Sequence, residues 1–272
     1  MRRGAGRVEK ASPDYVAVLK PAHKPRRTRS RFEGLAEIIW PQRSLITGRE
    51  VAGPGALEPE HWSKLHFLSE PLCACCGTPL DLAVEEDQLC GACLVRRPVY
   101  DRARAALAYG DVSRDLVLAL KYQGRRDSLD LLSRWMANAG RELLQDADLI
   151  APVPLHYFRL VRRGFNQSVW LAAALARRSN ALLVVDALKR VRATPIQGGL
   201  SAEGRRRNVQ GAFRVRKGRA ALLKDKRILL VDDVLTTGAT AEACARALKR
   251  AGAGCVDVLT LARVAGPRTV PI

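Results

Sequence analysis

Along the second two-thirds of the chain, short apolar runs alternate with segments whose apolar residues recur at helical spacing. The apolar runs predict buried strands at residues 149–153, 182–185, 228–231 and 256–261. The helical spacing predicts one helix with Ser113 as its N-cap and others over residues 131–136, 166–178 and 240–250. Strands that alternate with helices predict an α/β fold with a parallel, doubly wound sheet.

The N-terminal part of the chain has a different pattern. Residues 1–31 hold few apolar positions and many charges, which predicts a disordered basic tail. We assign this tail to residues 1–33. Residues 34–98 are turn-rich, carry most of the cysteines and contain no long periodic segment, which is typical of a small metal-stapled module. The α/β domain is therefore predicted to span residues 99–272.

The net charge of +19 comes largely from two segments. Residues 1–31 carry ten Lys or Arg against two acids, and residues 189–219 carry ten against the single acid Glu203. Such an excess favours polyanions, including nucleic acid and phosphorylated small molecules. For the tail, an arginine-rich genome is the alternative explanation. No apolar run predicts a membrane span or a secretory signal. Two CxxC cysteine pairs indicate a metal site in a reducing compartment, so we expect a cytoplasmic protein.

Four of the seven cysteines form two pairs, Cys73-x-x-Cys76 and Cys90-x-x-Cys93, with thirteen residues between the pairs. This spacing predicts a zinc ribbon, in which four thiolates surround Zn²⁺ tetrahedrally at about 2.3 Å. Four protein ligands leave no open position, so one structural zinc is expected. Cys75 lies inside the first pair and is not an expected ligand.

An upstream segment resembles a degraded copy of the same ribbon. Ser44 and Thr47 stand where the first cysteine pair would be, and Glu58 and His61 stand where the second would be. Because hydroxyls are poor zinc ligands, we expect no metal here. Packing must then hold this segment, and the candidate packing residues are Ile46, Leu57, Trp62 and Phe67.

Residues 228–240 combine a strand, two acids and a helix start in one continuous stretch. Asp232 and Asp233 follow four apolar residues, and α/β sheets bind ligands at the carboxyl ends of their strands. Gly238 lets backbone amides approach an anion, and the next helix adds free N–H groups and a positive dipole end. These features predict a phosphate cradle, with two carboxylates suited to the hydroxyls of a ribose. The alternative is a buried strand followed by an ordinary acidic turn.

This stretch resembles the signature of type I phosphoribosyltransferases. The resemblance implies that Asp232 and Asp233 bind the ribose of phosphoribosyl diphosphate, or a related sugar phosphate, and that Mg²⁺ bridges ribose and diphosphate. It implies that the 5′-phosphate is bound by Thr236, Thr237, Gly238, Ala239 and Thr240. In that family diphosphate is displaced through an oxocarbenium-like transition state, which carboxylates stabilise, so the two acids are also the catalytic candidates.

A second loop follows the strand at residues 149–153, and in type I phosphoribosyltransferases the corresponding loop binds diphosphate. Its candidate ligand residues are Pro152, Val153, Pro154, Arg163, Asn166 and Gln167. Arg163 suits diphosphate oxygens, whereas Asn166 and Gln167 either cap the next helix or contact the ligand. His156 is an acid–base candidate, although a lone loop histidine is more often structural or exposed.

The basic residues 189–219 include Gly198 and Gly199, which predict a mobile segment. A mobile basic flap over the site would exclude water and gather phosphate charge. A solvated loop and a nucleic-acid surface are the alternatives.

The order of motifs over residues 35–265 resembles the ComF family, also called competence protein F or double zinc ribbon phosphoribosyltransferase-like proteins. Besides the cysteine ribbon and the cradle, the motifs are Leu118-Ala-Leu-Lys-Tyr122, Pro152-Val-Pro-Leu155, Arg163-Gly-Phe-Asn-Gln167, Thr194-Pro-Ile-Gln197, Arg207-Asn208 and Ala212-Phe213. The resemblance implies a type I phosphoribosyltransferase-like parallel sheet over residues 99–272 and a double zinc ribbon over residues 34–98. The first ribbon, degenerate here, departs from the family.

In some bacteria the family is linked to uptake and handling of single-stranded DNA, which implies competence-machinery proteins as partners. Two functions follow. One is an enzyme that transfers ribose phosphate to an acceptor the sequence does not identify. The other is a non-catalytic DNA-uptake protein that retains the fold and binds single-stranded DNA. Asp232 and Asp233 favour a sugar-diphosphate site, because DNA binding alone would prefer neutral or basic groups there. Weak binding of single-stranded DNA is expected in either case.

Overall fold

The computed structural model describes residues 18–19, 44, 46–51, 57–81, 88–123, 128–192 and 202–264. Its strands are β1 (Val18–Leu19), β2 (Ala103–Ala108), β3 (Leu149–Pro152), β4 (Leu182–Val184), β5 (Leu188–Arg190), β6 (Phe213–Val215), β7 (Arg227–Leu235) and β8 (Cys255–Arg263). Six of them form one sheet in the order β1-β4-β3-β7-β8-β2, and β5 pairs with β6 separately. The neighbours in the main sheet are parallel except β1, which is antiparallel to β4.

The described helices connect and cover these strands. They are α1 (Pro59–Trp62), α2 (Gly91–Val95), α3 (Asp111–Leu118), α4 (Leu129–Ala139), α5 (Arg141–Asp146), α6 (Tyr157–Arg163), α7 (Gln167–Ala176), α8 (Ala202–Val209), α9 (Ala220–Leu223) and α10 (Ala239–Arg250). A π-helical turn, Ala119–Gln123, continues α3. Within the described part of the chain, every helix is too short or too polar to cross a bilayer.

The central strands are apolar on both faces, and this is why their sequence is a continuous apolar run. Along β7, Ile228 and Leu230 belong to a core cluster that includes α10 and the zinc-ribbon cysteines. The alternate residues Leu229 and Val231 belong to a second cluster with α3, α4 and α7. The sheet is thus covered on both faces, and the predicted parallel α/β architecture is confirmed.

Several details differ from the sequence prediction. Ser113 lies in the first turn of α3 rather than at its N-cap, and its hydroxyl accepts a hydrogen bond from the N–H of Gly110 at 2.7 Å. Asp232 and Asp233 lie inside β7, because pairing with β8 continues to Leu235. The strand β2 and the helices α5 and α6 were not predicted, since their sequences lack a clear period.

Two charged segments were predicted to be loosely ordered, and the structure describes part of each. Within the basic tail, Val18–Leu19 forms β1 at the sheet edge, and the rest lies outside the described residues. The basic segment contains a helix, α8, and its two ends form the ribbon of β5 and β6. Gly198 and Gly199, on which the flap prediction depended, lie outside the described residues.

Candidate functional site

A cleft of about 570 Å³ opens at the carboxyl ends of β3 and β7, the edge at which parallel sheets bind ligands. It brings together predicted residues from two distant segments: Val153, Pro154, Arg163, Gln167, Asp232, Asp233, Thr236, Gly238 and Thr240. The other predicted residues of these segments are not among its described lining residues, and they are Pro152, Asn166, Thr237 and Ala239.

The two acids are held by hydrogen bonds at the floor of the cleft. Asp233 is 4 % exposed; its Oδ2 accepts from Gln167 Nε2 at 2.7 Å and lies 3.1 Å from Lys121 Nζ. Asp232 Oδ1 accepts from Ser168 Oγ and from the N–H of Asp233, both at 2.9 Å. Burial, and then the charge of Asp233, raise the pKa of Asp232 to about 7. A ligand that brings hydroxyl donors and a cation would relieve this repulsion.

The segment between β7 and α10 has the geometry of an anion cradle. Gly238 adopts φ +76°, a left-handed conformation that favours glycine, and α10 begins at the next residue. The helix start supplies free N–H groups and a positive dipole end. The buried Thr237 hydroxyl has no hydrogen-bond partner among the described residues, although Thr237 is not a described lining residue of the cleft.

The loop after β3 is ordered by two capping side chains. Asn166 Oδ1 caps α7 by accepting from the N–H of Ser168 at 3.0 Å, and its Nδ2 donates to the Val153 carbonyl at 3.0 Å. His156 caps α6, where its Nδ1 accepts from the N–H of Phe158 at 3.4 Å. These contacts favour the capping alternative for Asn166 and the structural one for His156.

The cleft is strongly cationic. Arg159, Arg162 and Arg163 line it from α6, and Arg190 lines it from β5. Burial, and then the charge of Arg159, lower the pKa of Arg190. Guanidinium groups that line one cleft are stabilised by an anion, and their fork geometry matches phosphate oxygens.

Sequence reasoning missed several residues in or beside this cleft. Lys121, a lining residue, and Ser168, behind the lining, contact the acids, and Arg159 and Arg190 contribute charge. The signals available for them were weak: Lys121 lies in one of the short ComF-like motifs, and Arg190 lies in the basic segment. Their roles depend on contacts between distant parts of the chain, which sequence periodicity does not report.

The predicted ribbon cysteines come together in space. The sulfur atoms of Cys73, Cys76, Cys90 and Cys93 all lie within 4.8 Å of one another. The Sγ atoms of Cys76 and Cys90 are 3.6 Å apart, close to the roughly 3.8 Å expected for two thiolates on a tetrahedral Zn²⁺. The N–H groups of Cys76 and Cys90 point to Cys73 Sγ at 3.5 and 3.3 Å. The cluster therefore fits a structural zinc.

The four corresponding positions of the first ribbon also come together, without thiolates. Ser44 Oγ donates to Glu58 Oε2 at 2.7 Å, Thr47 Oγ1 donates to Glu58 Oε1, and His61 Nδ1 lies 3.2 Å from Glu58 Oε2. Burial opposes ionisation of Glu58, but hydrogen bonds from Thr47 and Ser44 outweigh it and lower its pKa to about 2. Among the described residues, the four cysteines are the only cluster of metal-ligand type.

The predicted packing of the first ribbon is also present. Ile46 and Leu57 pack against the core cluster of α3 and α4. The rings of Trp62 and Phe67 lie 5.4 and 5.1 Å from that of Trp135 on α4. Aromatic contacts of this kind stabilise a fold beyond their buried area.

The zinc ribbon packs directly on the cradle end of the sheet. Arg96, just after α2, forms a two-pronged ion pair with buried Glu242 in the first turn of α10, at 3.1 and 2.6 Å. Arg263, at the end of β8, donates to the carbonyl of Cys76. Buried Tyr100 lies against Gly238. The ribbon thus supports the start of the helix that forms the cradle.

Two domain families and several curated relatives match this chain. The double zinc ribbon domain matches residues 35–94, and the phosphoribosyl transferase domain matches residues 142–271. The DNA utilization protein YhgH of Escherichia coli K12 is 35% identical over 214 residues, covering 75% of this chain and 91% of the relative. Competence protein F of Haemophilus influenzae is 33% identical over 204 residues, covering 72% and 86%. A solved structure of an allosteric regulatory enzyme of purine biosynthesis matches at 20% identity and a TM-score of 0.36, covering 57% of this chain and 31% of that one.

Proposed function

The chain belongs to the family of competence protein F, which joins a double zinc ribbon to a phosphoribosyltransferase domain, and from this premise we propose that its cleft binds phosphoribosyl diphosphate together with Mg²⁺. The observation that carries the proposal is the pair Asp232 and Asp233 beside an anion cradle and a group of arginines in one cleft. Two adjacent carboxylates suit the vicinal hydroxyl donors of a ribose, whereas they would repel the phosphates of nucleic acid or a simple phosphate ion.

Each part of the ligand has a matching part of the cleft. Asp232 and Asp233 bind the ribose hydroxyls, and residues 236–240 bind the 5′-phosphate through backbone N–H groups and threonine hydroxyls. Arg163, with Arg159 and Arg190, binds the diphosphate. Carboxylate oxygens are the ligand type that Mg²⁺ prefers, and the raised pKa of Asp232 supports the proposal, because a nearby cation would favour the ionised carboxylate. When bound, Mg²⁺ neutralises charge on the diphosphate leaving group.

The same arrangement supports transfer of ribose phosphate to an acceptor. Displacement of diphosphate builds positive charge on the sugar ring, and the carboxylates beneath the ribose stabilise that charge. Lys121 keeps Asp233 in place through its ion pair. The second candidate is a non-catalytic binding protein for DNA uptake, which the names of the relatives favour.

Calorimetry with phosphoribosyl diphosphate and Mg²⁺ tests binding, and we expect a dissociation constant between about 1 μM and 1 mM. Arg190→Gln should weaken binding about tenfold or more, because one charge-assisted contact with phosphate is lost. Arg141→Gln, an exposed arginine outside the cleft, is the matched control and should bind like the wild type. Absence of binding to the wild type would refute the proposal. Release of diphosphate when nucleobases and amines are added distinguishes the enzyme hypothesis from the hypothesis of a non-catalytic binding protein.

We also expect weak, steeply salt-dependent binding of single-stranded DNA. Each phosphate contact releases roughly 0.7 counterion, so replacing four contacting arginines should lower the salt slope by about 3. Deleting residues 1–31 is a poor test, because Val18–Leu19 pairs with β4. The tail variant keeps this strand, and Gln replaces four arginines of the tail, Arg26, Arg27, Arg29 and Arg31.

The control variant loses the same charge at exposed positions outside the tail, where Gln replaces Arg114, Arg141, Arg177 and Lys224. DNA binding is measured for the three proteins across a salt series. The tail variant should show the smallest slope, with unchanged affinity for phosphoribosyl diphosphate. An equal slope in all three proteins would show that the tail does not contact DNA.

A further inference from the structure

A second cavity lies on a different side of α10 from the cleft, and we name it the α10 groove. It has a volume of about 540 Å³ and lies between α10 and the chain that leads from α8 into β6. Gly238 and Thr240 line the cleft, whereas Ala239 and Glu242 line the groove. The cleft and the groove therefore share a helix but have no described lining residue in common.

Three arginines line the α10 groove. Arg246 and Arg250 lie one helical turn apart on α10, and Arg207 lies in the last turn of α8. All three are exposed, and Arg250 makes no ion pair within the described part of the chain. The groove thus presents guanidinium groups from both of its sides.

The described lining residues of the groove include one acid, Glu242. Its buried carboxylate already accepts hydrogen bonds from the guanidinium of Arg96 at 3.1 and 2.6 Å. Arg246 lies 3.8 Å from the same carboxylate. Because Arg96 neutralises Glu242 from outside the groove, the groove keeps an excess of positive charge. An anion is therefore the class of ligand that the groove favours, and phosphate oxygens match the fork of a guanidinium.

The rest of the groove is mostly apolar. Val209 and Phe213 line one side, and Ala243 and Ala247 line the other between the arginines of α10. A cavity of this size, with an apolar lining and a few charged groups, is typical of small-molecule sites. An inorganic anion would contact the arginines and leave the apolar surface uncovered. A phosphorylated ligand with a planar ring would use both parts of the groove.

We propose that the α10 groove is a second ligand site, which binds a nucleoside diphosphate or triphosphate. The phosphates contact Arg207, Arg246 and Arg250, and the base covers the apolar side. Two or three phosphate groups supply enough acceptors for three guanidinium groups, whereas a single phosphate does not. The proposal is independent of the function proposed for the cleft, because it uses none of the residues that line the cleft.

Calorimetric titration with ADP, without Mg²⁺, tests the groove, and adenosine and inorganic phosphate serve as partial ligands. The wild type should bind ADP, and each partial ligand should bind at least about tenfold more weakly because it makes only some of the contacts. Arg246→Gln combined with Arg250→Gln should weaken ADP binding at least about tenfold. The matched control combines Arg114→Gln with Arg141→Gln, which removes the same charge at exposed positions outside both sites and should bind ADP like the wild type.

A further variant changes the shape of the groove and not its charge. Ala243→Leu keeps a good helix former and fills the apolar part, so it should also weaken ADP binding. Arg190→Gln alters the cleft alone and should bind ADP like the wild type. Circular dichroism checks the fold of every variant.

Four results would overturn the proposal. They are absence of ADP binding to the wild type, adenosine binding as tightly as ADP, and equal losses of ADP binding in the two arginine pairs, which would indicate a general attraction of charge. The fourth is a loss in Arg190→Gln as large as that in the groove pair, which would place ADP in the cleft. Phosphoribosyl diphosphate is absent from these titrations, so a failure of the function proposed for the cleft leaves their outcome unchanged.

Discussion

Replacing both Asp232 and Asp233 by Asn is expected to weaken binding of phosphoribosyl diphosphate at least about 100-fold while the protein stays folded. Hydrogen bonds to charged groups contribute about 1.5–3 kcal/mol each, and two carboxylates are lost. Asn has the same shape, so it can still accept the hydrogen bonds from Ser168 and from the backbone. Calorimetry with Mg²⁺ measures the affinity, and circular dichroism checks the fold.

The single variant Asp232→Asn should be more stable than the wild type without ligand. The pKa of Asp232 is raised to about 7 from 3.8, so the folded protein binds a proton that the unfolded chain releases. Wild-type stability should therefore fall as pH rises from about 4 to about 7, and the variant should lack this part of the fall. The difference above pH 7 has an upper limit of about 4 kcal/mol.

Urea unfolding at several pH values measures this effect, with Asp115→Asn, an exposed acid on α3, as the control. The control should follow the wild type in both stability and ligand affinity. A double variant that binds phosphoribosyl diphosphate normally would rule out the ribose role of the acids. A double variant that unfolds would make them structural residues.

Cys76→Ala is expected to remove the zinc and to loosen the ribbon. A structural zinc site contributes about 10–16 kcal/mol of apparent binding energy in small zinc modules, so three remaining thiolates cannot hold the metal well. The ribbon also supports the cradle through the contacts of Arg96 with Glu242 and of Arg263 with Cys76. Affinity for phosphoribosyl diphosphate should therefore fall as well, by about tenfold.

Elemental analysis, limited proteolysis and calorimetry test this prediction together. The wild type should contain one zinc per chain, because the first ribbon has Ser44, Thr47, Glu58 and His61 in place of four cysteines and hydroxyls are poor zinc ligands. Cys75→Ala, a buried cysteine of the same ribbon outside the cluster, is the matched control and should keep its zinc. Two zinc ions in the wild type, or none, would contradict the single-site prediction. Full ligand affinity in zinc-free Cys76→Ala would show that ribbon and cradle act independently.

Local sequence was sufficient for most of the elements and for the two motifs with the clearest chemistry. Apolar runs predicted β3, β4, β7 and β8 because these strands are buried on both faces, and helical spacing predicted α4, α7 and α10. The paired CxxC spacing predicted the cysteine cluster because both knuckles are short and close in sequence. The strand end, turn and helix start between Asp232 and Thr240 were predicted for the same reason, because they are consecutive in the chain.

The tertiary structure alone decided which distant residues meet these motifs. Lys121 reaches Asp233, Arg190 joins the arginines of α6, and a strand of the basic tail pairs with β4. In the first ribbon, the tertiary structure showed that the Glu58 carboxylate accepts hydrogen bonds from Ser44 and Thr47 and lies next to His61. Each of these contacts joins residues that are brought together by sheet order and helix packing. Periodicity and local spacing describe only the nearest neighbours along the chain, so they determine the elements and leave such long-range contacts to the fold.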